Sequence, residues 1–376
     1  MSAAPAARPG DPASAIETPA LVVDLDALAR NIERMAGFAR AQGLRLRPHA
    51  KTHKSADIAR LQLGAGAVGL CVQKLSEAQA LADAGIADLY VSNEIIDARK
   101  IERAAALARR IRLALAVDSA AGIEALAAAV ARAGSRVEVF VEVDVGQGRC
   151  GVAPAEAGRL ARRVVSHPGL QFAGLQAYQG TAQHLRSPAE RAAAIAHASA
   201  AASAARAAVT AAGVPCPLVT GAGSGSFVLE AAGGVYGEIQ PGSYVFMDRD
   251  YAANQPTPGA PVFEHALFVA AQVVSAGAAH AVLDAGHKSH AIDSGLPGVW
   301  QRADLEFANG GDEHGILRAR DGDATRLPGL GERVWLVPGH CDPTVNLHDR
   351  FVGVRGGLAQ GTVEAVWPVT ARGCVA

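Results

Sequence analysis

Leu44-Arg45-Leu46-Arg47-Pro48-His49-Ala50-Lys51 is the first strand-like run after a helix, and it ends in Pro-His-Ala-Lys where a doubly wound open sheet would carry its glycine fingerprint. Upstream, from Asp26 onward, Leu28, Ile32, Met35 and Phe38 recur at helical spacing. Downstream, short apolar runs alternate with alanine-rich helical stretches. The runs fall at roughly 45–50, 67–72, 88–92, 112–118, 137–144, 171–177, 216–221 and 236–240. Eight strands separated by helices predict an α/β fold, a (β/α)8 barrel of TIM type, with its active site in the loops after the strands.

After about Asp250 the helical periodicity fades. Phe263 to Val274, Ala281 to Asp284, Arg333 to Val337 and Gly361 to Trp367 are β-rich runs separated by Gly, Pro and Asp turns, which predicts a mostly β C-terminal domain. Thr18 to Asp24, a strand before the first barrel helix, is expected to pair with it. The expected division is a mobile arm at 1–17, the barrel at 26–255, and a β domain made of 18–25 with 256–376. A chain of 376 residues exceeds what one core serves, and half of it is hydrophobic, as in an ordinary soluble α/β enzyme. A net charge of -1 offers no footprint for nucleic acid or an anionic membrane. The five cysteines are scattered without CxxC spacing and read as reduced cytosolic thiols. No stretch resembles a signal peptide or a membrane span, so a cytoplasmic location is expected.

Lys51 stands in Arg47-Pro48-His49-Ala50-Lys51-Thr52-His53-Lys54. Neighbouring cations disfavour the ammonium form, so its pKa is expected to be lowered and its amine free for an aldehyde cofactor such as pyridoxal phosphate. The plainer alternative is a solvated or phosphate-binding lysine in a basic loop. Thr220-Gly221-Ala222-Gly223-Ser224-Gly225-Ser226 follows the seventh run, and Gln240-Pro241-Gly242-Ser243-Tyr244 follows the eighth. Small residues there let backbone N–H groups approach an anion, and barrels often hold phosphate after their last two strands, although either loop alone reads as a turn. Arg149, in Gly146-Gln147-Gly148-Arg149-Cys150-Gly151, is a candidate to hold an acceptor on a ligand, or a surface arginine after a turn. In Pro338-Gly339-His340-Cys341-Asp342-Pro343, an extended backbone would point His340 and Asp342 one way and Cys341 the other. Imidazole with carboxylate suits Mn2+, Mg2+ or Co2+ with waters completing the shell, whereas His with Cys would point to zinc.

Together these stretches resemble the pyridoxal-phosphate enzymes of the alanine-racemase-like (fold type III) barrel, and among them the metal-activated D-threonine aldolase and D-serine dehydratase group. The resemblance runs from Thr18-Pro19 through the Lys51 and Arg149 stretches, Pro241-Gly242-Ser243-Tyr244 and Asp312-Glu313-His314-Gly315 to His340-Cys341-Asp342. It implies that Lys51 carries pyridoxal 5'-phosphate and that Thr220, Gly221, Gly223, Ser224, Gly242, Ser243 and Tyr244 hold its phosphate. It also implies that Gln73, Arg149 and Tyr178 contact the cofactor, and that His340 and Asp342 bind a divalent metal, Mn2+ ahead of Mg2+ or Co2+. The dehydratases of the group tend to have His and Cys two apart with zinc, so Asp342 favours the aldolase branch; a backbone that is not extended would let Cys341 replace it. Gln179 stands where some of these aldolases have a histidine, which leaves the ring contacts there open.

The implied activity is that of a lyase: retro-aldol cleavage of D-3-hydroxy amino acids dependent on the cofactor and the metal, with D-threonine giving glycine and acetaldehyde. His184, on the loop after the sixth strand, is a candidate base beside a water on the metal, or else a surface helix-cap residue. Lys51 is the candidate acid that reprotonates the glycine carbanion. The alternatives are a β-hydroxyaspartate aldolase giving glycine and glyoxylate, a D-serine or D-3-hydroxyaspartate dehydratase or a racemase on the same barrel, and a non-catalytic pyridoxal-phosphate carrier. The expected partners are a small-molecule substrate and, by resemblance, a second copy in a homodimer, with no nucleic acid or membrane.

Overall fold

In the computed structural model, which describes residues 6–376, the chain enters through β1 (Ala20–Asp24), an apolar run closed by an aspartate. The Asp24 carboxylate accepts the N–H groups of Asp26 and Ala27 and so caps α1 (Leu25–Ala41). Losing such a cap costs about 1 kcal/mol. α1 buries Leu28, Ile32 and Met35 on one face and is followed by Gly43, whose φ of +65° is a left-handed turn that glycine adopts without a steric cost.

The next eight strands are β2 (Arg45–Leu46), β3 (Leu70–Val72), β4 (Asp88–Val91), β5 (Arg112–Val117), β6 (Val137–Glu142), β7 (Leu170–Gln176), β8 (Val219–Gly221) and β9 (Glu238–Ile239). They form one parallel sheet in the order β2-β9-β8-β7-β6-β5-β4-β3. A parallel bridge between His49 and Cys71, with Cys71 N–H bonded to Pro48 O at 2.8 Å, joins the two ends into a barrel. Alternation along each strand sorts its residues. On β5, Leu113, Leu115 and Val117 pack against the helices, while Ala114 and Ala116 face inward with Tyr90 and Phe140. Above that plug lies a polar layer: the Tyr90 hydroxyl donates to Gln176 Oε1 at 3.0 Å, and Gln240 Nε2 donates to Gln176 Oε1 and Thr220 Oγ1.

The second sheet holds β10 (Leu267–Ala276), β11 (Ala281–Leu283), β12 (Gly298–Val299), β13 (Leu305–Asn309), β14 (Gly315–Ala319), β15 (Arg333–Val337), β16 (Arg350–Arg355) and β17 (Thr362–Pro368), with β1 near its centre. β1 runs antiparallel to β10, pairing Val22 with Phe268, and parallel to β16, pairing Val22 with Val352. The pairing expected for Thr18 to Asp24 is therefore present. The arm expected to be mobile is different: Ala7, Ala13 and Ile16 are buried against Phe268, Val337 and Val352, and Gly10 and Ala13 donate to Val363 O and Gly361 O. Small apolar side chains let this segment dock where a charged arm would stay in water. Residues 1–5, the start of that arm, lie outside the described residues. Among the described residues, no helix is long and apolar enough to cross a membrane.

Candidate active site

The loops leaving the barrel strands meet residues from the second sheet around a cavity of about 480 Å³. That volume lies in the ordinary range for small-molecule sites. After β2 the chain makes a tight 3-10 turn, Ala50–Thr52, that lifts Lys51 into the cavity; His49 accepts the Lys51 N–H on Nδ1 at 3.3 Å. The later loops contribute Gln73, Arg149, Tyr178, His184, Gly223, Ser224, Gly242 and Ser243, and the second sheet contributes His340 and Asp342.

Lys51 does not have the lowered pKa expected from its neighbours. The Asp342 carboxylate, 3.2 Å from Nζ, raises it against the opposing effect of burial. The neighbouring cations are spent elsewhere. Arg47 is paired with Asp88 at 2.6 Å and Glu238 at 3.2 Å, and Lys54 with Glu77 at 2.7 Å. Burial makes both histidines poor proton acceptors, pushing His49 well below the usual histidine range and His53 down to about 4.

His340 and Asp342 do come together, for a reason other than the one expected. His340 is extended (φ -140°, ψ 127°), but the helix Cys341–Asn346 begins directly after it, so Asp342 sits in a first helical turn rather than on a strand. Cys341 is fully buried in the apolar core and does not compete with Asp342. His340 Nδ1 lies 2.7 Å from Asp293 Oδ2, which leaves Nε2 facing Asp342 Oδ1 at 3.9 Å. Burial would lower the pKa of His340, but the surrounding carboxylates raise it, so a metal bound there would take the place of the Nε2 proton. That oxygen is buried without a hydrogen-bond partner. Two such donors can share one ion with ligand distances of about 2.1 Å, and a carboxylate behind a ligating imidazole is the usual supporting contact. Burial would raise Asp342, but the charges of Lys51 and His340 outweigh it and hold its pKa below the usual carboxylate value. Among the described residues no group of three or more His, Cys, Asp or Glu side chains could hold a metal, so the pair would leave most of an ion's shell open.

His184 lines the cavity with its Nδ1 2.6 Å from Asp250 Oδ2. The carboxylate can only accept, so the contact selects the tautomer with the proton on Nδ1, in which the neutral ring has its lone pair on Nε2. Arg186 pairs with the other Asp250 oxygen and fixes it. Arg149 lies over the Tyr178 ring, 5.8 Å from its centroid. Gln179, in contrast, is buried beside the cavity and accepts from the Thr181 N–H and hydroxyl.

At Gly223 and Gly242 the glycine loops pass too close to neighbouring side chains to carry any of their own. A Cβ on Gly223 would sit 2.3 Å from Gln183 Oε1, and one on Gly242 would sit 2.7 Å from Thr52 Oγ1. The N–H groups of Gly223 and Ser224 have no protein acceptor among the described residues. Three residues expected to touch phosphate do not reach the cavity. Thr220 is buried in β8, donating to Glu238 Oε1 at 2.9 Å. Gly221 packs against Ala177, whose carbonyl would be 2.5 Å from an added Cβ. The Tyr244 ring turns into the core, where its hydroxyl accepts from Gln62 Nε2; only its N–H serves the loop, donating to Ser224 Oγ at 2.9 Å. Conversely, the sequence reading gave no role to His49, Ser92, Gln176, Gln240 and Tyr251 on the cavity wall, or to Asp250 and Asp293 behind it. Asp248-Arg249-Asp250-Tyr251, two acids and a tyrosine beyond the 3-10 turn Ser243–Val245 that follows the last barrel strand, was the available signal for Asp250 and Tyr251.

Residues 23–250 match the family profile of the alanine racemase N-terminal domain, and residues 266–354 that of a serine dehydratase domain. The chain is 44% identical to a 3-hydroxy-D-aspartate aldolase of Paracoccus denitrificans over 98% of this chain and 95% of that protein. It is 43% identical to a D-threonine aldolase of an Arthrobacter species, over 98% and 96% respectively. The crystal structure of a D-threonine aldolase from Filomicrobium marinum superposes with a TM-score of 0.95 at 48% identity, covering 100% of both chains.

Proposed function

Because the chain belongs to the alanine-racemase-like barrel family that includes D-threonine aldolase and 3-hydroxy-D-aspartate aldolase, we propose that it is a lyase splitting D-3-hydroxy amino acids by retro-aldol cleavage, D-threonine yielding glycine and acetaldehyde. One observation carries the reading: the Lys51 amine, the His184–Asp250 pair and the His340–Asp342 donor pair open into one cavity.

Pyridoxal phosphate fits the residues present, with Lys51 for its aldehyde, the Gly223–Ser224 and Gly242–Ser243 loops for its phosphate, and Gln73, Arg149 and Tyr178 beside its ring. When bound, it supplies an electron sink for the bond broken at Cα. A divalent ion fits His340 Nε2 and Asp342 Oδ1, where it would supply Lewis acidity to the substrate's 3-hydroxyl; nitrogen and oxygen donors support Mn2+. His184 accepts the 3-hydroxyl proton at Nε2 as the Cα–Cβ bond breaks and the aldehyde leaves. Asp250 holds the imidazole in the tautomer that can do so. The Lys51 amine, aimed into the same space, is placed to return a proton to Cα. The half-exposed apolar side chains Ile292, Leu296 and Leu347, close in sequence to Asp293 and Asp342, support a homodimer. Five unpaired cysteines support a reducing, cytoplasmic compartment.

A second reading gives the substrate a distal carboxylate, as in the Paracoccus relative. Arg149 favours it, since this guanidinium lines the cavity and forms no ion pair within 4.0 Å among the described residues. Purified protein supplied with pyridoxal phosphate and Mn2+ should release glycine from D-threonine or D-3-hydroxyaspartate, and lose that activity with a chelator. The relative rates choose between the two side chains. 2-Oxobutanoate from D-threonine, or oxaloacetate from D-3-hydroxyaspartate, with ammonia would mean dehydration and would end the aldolase reading.

A further inference from the structure

The turn that carries Lys51 is tied at both ends to the loop after β3. On one side His49 accepts the Lys51 N–H, and its Nε2 lies 3.1 Å from the Gln73 side-chain amide. On the other, three residues beyond Lys51, the Lys54 ammonium lies 2.7 Å from Glu77 Oε1, with side chains only 9% and 4% exposed. Glu77 Oε2 accepts the backbone N–H groups of Gln73 at 2.9 Å and Lys74 at 3.0 Å, so one carboxylate grips both loops. Lys54 holds φ at +49°, a left-handed backbone that β-carbon sterics disfavour and that its surroundings must therefore enforce. The segment after β17 completes the grip: Ala371 N–H donates to Lys54 O at 2.9 Å, and Lys54 Nζ reaches the carbonyls of Ala371 and Cys374 at 3.4 Å.

A buried ion pair adds little net stability over neutral side chains of similar volume, because desolvation offsets the attraction. What this pair supplies is geometry. We propose that Lys54 and Glu77 are positioning residues that lock the Lys51 turn against Gln73, keeping the Lys51 amine aimed into the cavity and sustaining the affinity for pyridoxal phosphate. The proposal rests on Lys51 as the cofactor's attachment point.

The test is the double variant Lys54→Met/Glu77→Gln, which leaves no buried charge unpaired. Apoprotein is titrated with pyridoxal phosphate by visible absorbance, and its thermal unfolding is followed alongside. The expected result is an unfolding midpoint close to wild type with affinity weakened about tenfold, and near-complete recovery of affinity in Lys54→Arg, which keeps the charge opposite Glu77. Wild-type affinity in the double variant, or a loss that Lys54→Arg shares, overturns the proposal. Should the double variant fail to fold, Glu77→Gln alone keeps an oxygen for the Gln73 and Lys74 N–H groups but removes the charge opposite Lys54; it should weaken affinity about threefold, and an unchanged affinity overturns the proposal as well. Wild-type apoprotein that binds no cofactor would bring down the Lys51 assignment itself, whereas normal wild-type binding with an unaffected variant brings down only the positioning role.

Discussion

Lys51 Nζ lies 3.2 Å from Asp342 Oδ2, so the exit of the first barrel strand and the turn after β15 meet at a single ion pair. The two parts of the protein share one site because of that contact. Asp342 has a second, unpartnered oxygen facing His340, which gives the carboxylate two neighbours to serve at once.

If the proposed divalent ion sits on His340 and Asp342, His340→Ala and Asp342→Ala should each remove about half of its protein ligands. Metal content after dialysis should fall to background, and turnover of the D-3-hydroxy amino acid should drop about 100-fold and no longer respond to chelator. Full metal content with either variant would place the ion elsewhere.

Lys51→Arg keeps a cation beside Asp342 and so should leave the fold intact while removing the amine that condenses with an aldehyde. Borohydride treatment of the wild type with pyridoxal phosphate should add the cofactor's mass to the peptide containing Lys51. The variant should gain no label there and should lose about three orders of magnitude in turnover. Labelling at Lys54 or another lysine instead would overturn the assignment.

The barrel was legible because eight short apolar runs, Leu113 to Val117 among them, alternate with helical stretches, a pattern that local sequence carries. Lys51, Gly223, Ser224, Gly242 and Ser243, which line the cavity, were legible as local stretches too, whereas Thr220, Gly221 and Tyr244 of the same stretches stay out of it. What local sequence could not carry was direction and distant charge. Tyr244 lies next to Ser243 in the chain, yet only Ser243 faces the cavity, because a 3-10 turn sends successive side chains to different sides. The sign of the Lys51 shift was missed for the same reason: Asp342 is close in space and far in sequence, while the nearby cations are each neutralised by acids such as Glu77, Asp88 and Glu238.

His184 is expected to depend on Asp250 for its tautomer rather than for its place, since the 3-10 turn Thr181–His184 already holds the residue. Asp250→Asn should therefore lower kcat about 100-fold with little change in KM, and His184→Asn should do at least as much. If Asp250→Asn raises KM and spares kcat, the pair binds substrate and does not move its proton.

Glu230 should set a pH limit on stability from behind the loop after β8. It is 1% exposed, its Oε1 accepts from Ser226 Oγ at 2.9 Å, and its Oε2 has no partner. Burial raises its pKa from 4.5 to about 7. Between those values the folded protein keeps a proton that the unfolded chain releases, so this carboxyl's contribution is full below the unfolded pKa and declines as pH rises through about 7, by about 3 kcal/mol in all. The buried His53 and His290 act in the opposite sense, each held down to about 4 by burial, but they are present in wild type and variant alike. Glu230→Gln keeps the shape and has no proton to lose. Denaturant unfolding should find the two proteins similar near pH 4.5, with the variant increasingly the more stable toward pH 8. Parallel stability curves would show that Glu230 titrates in the folded protein as it does in the unfolded chain, its orphaned oxygen having found a donor.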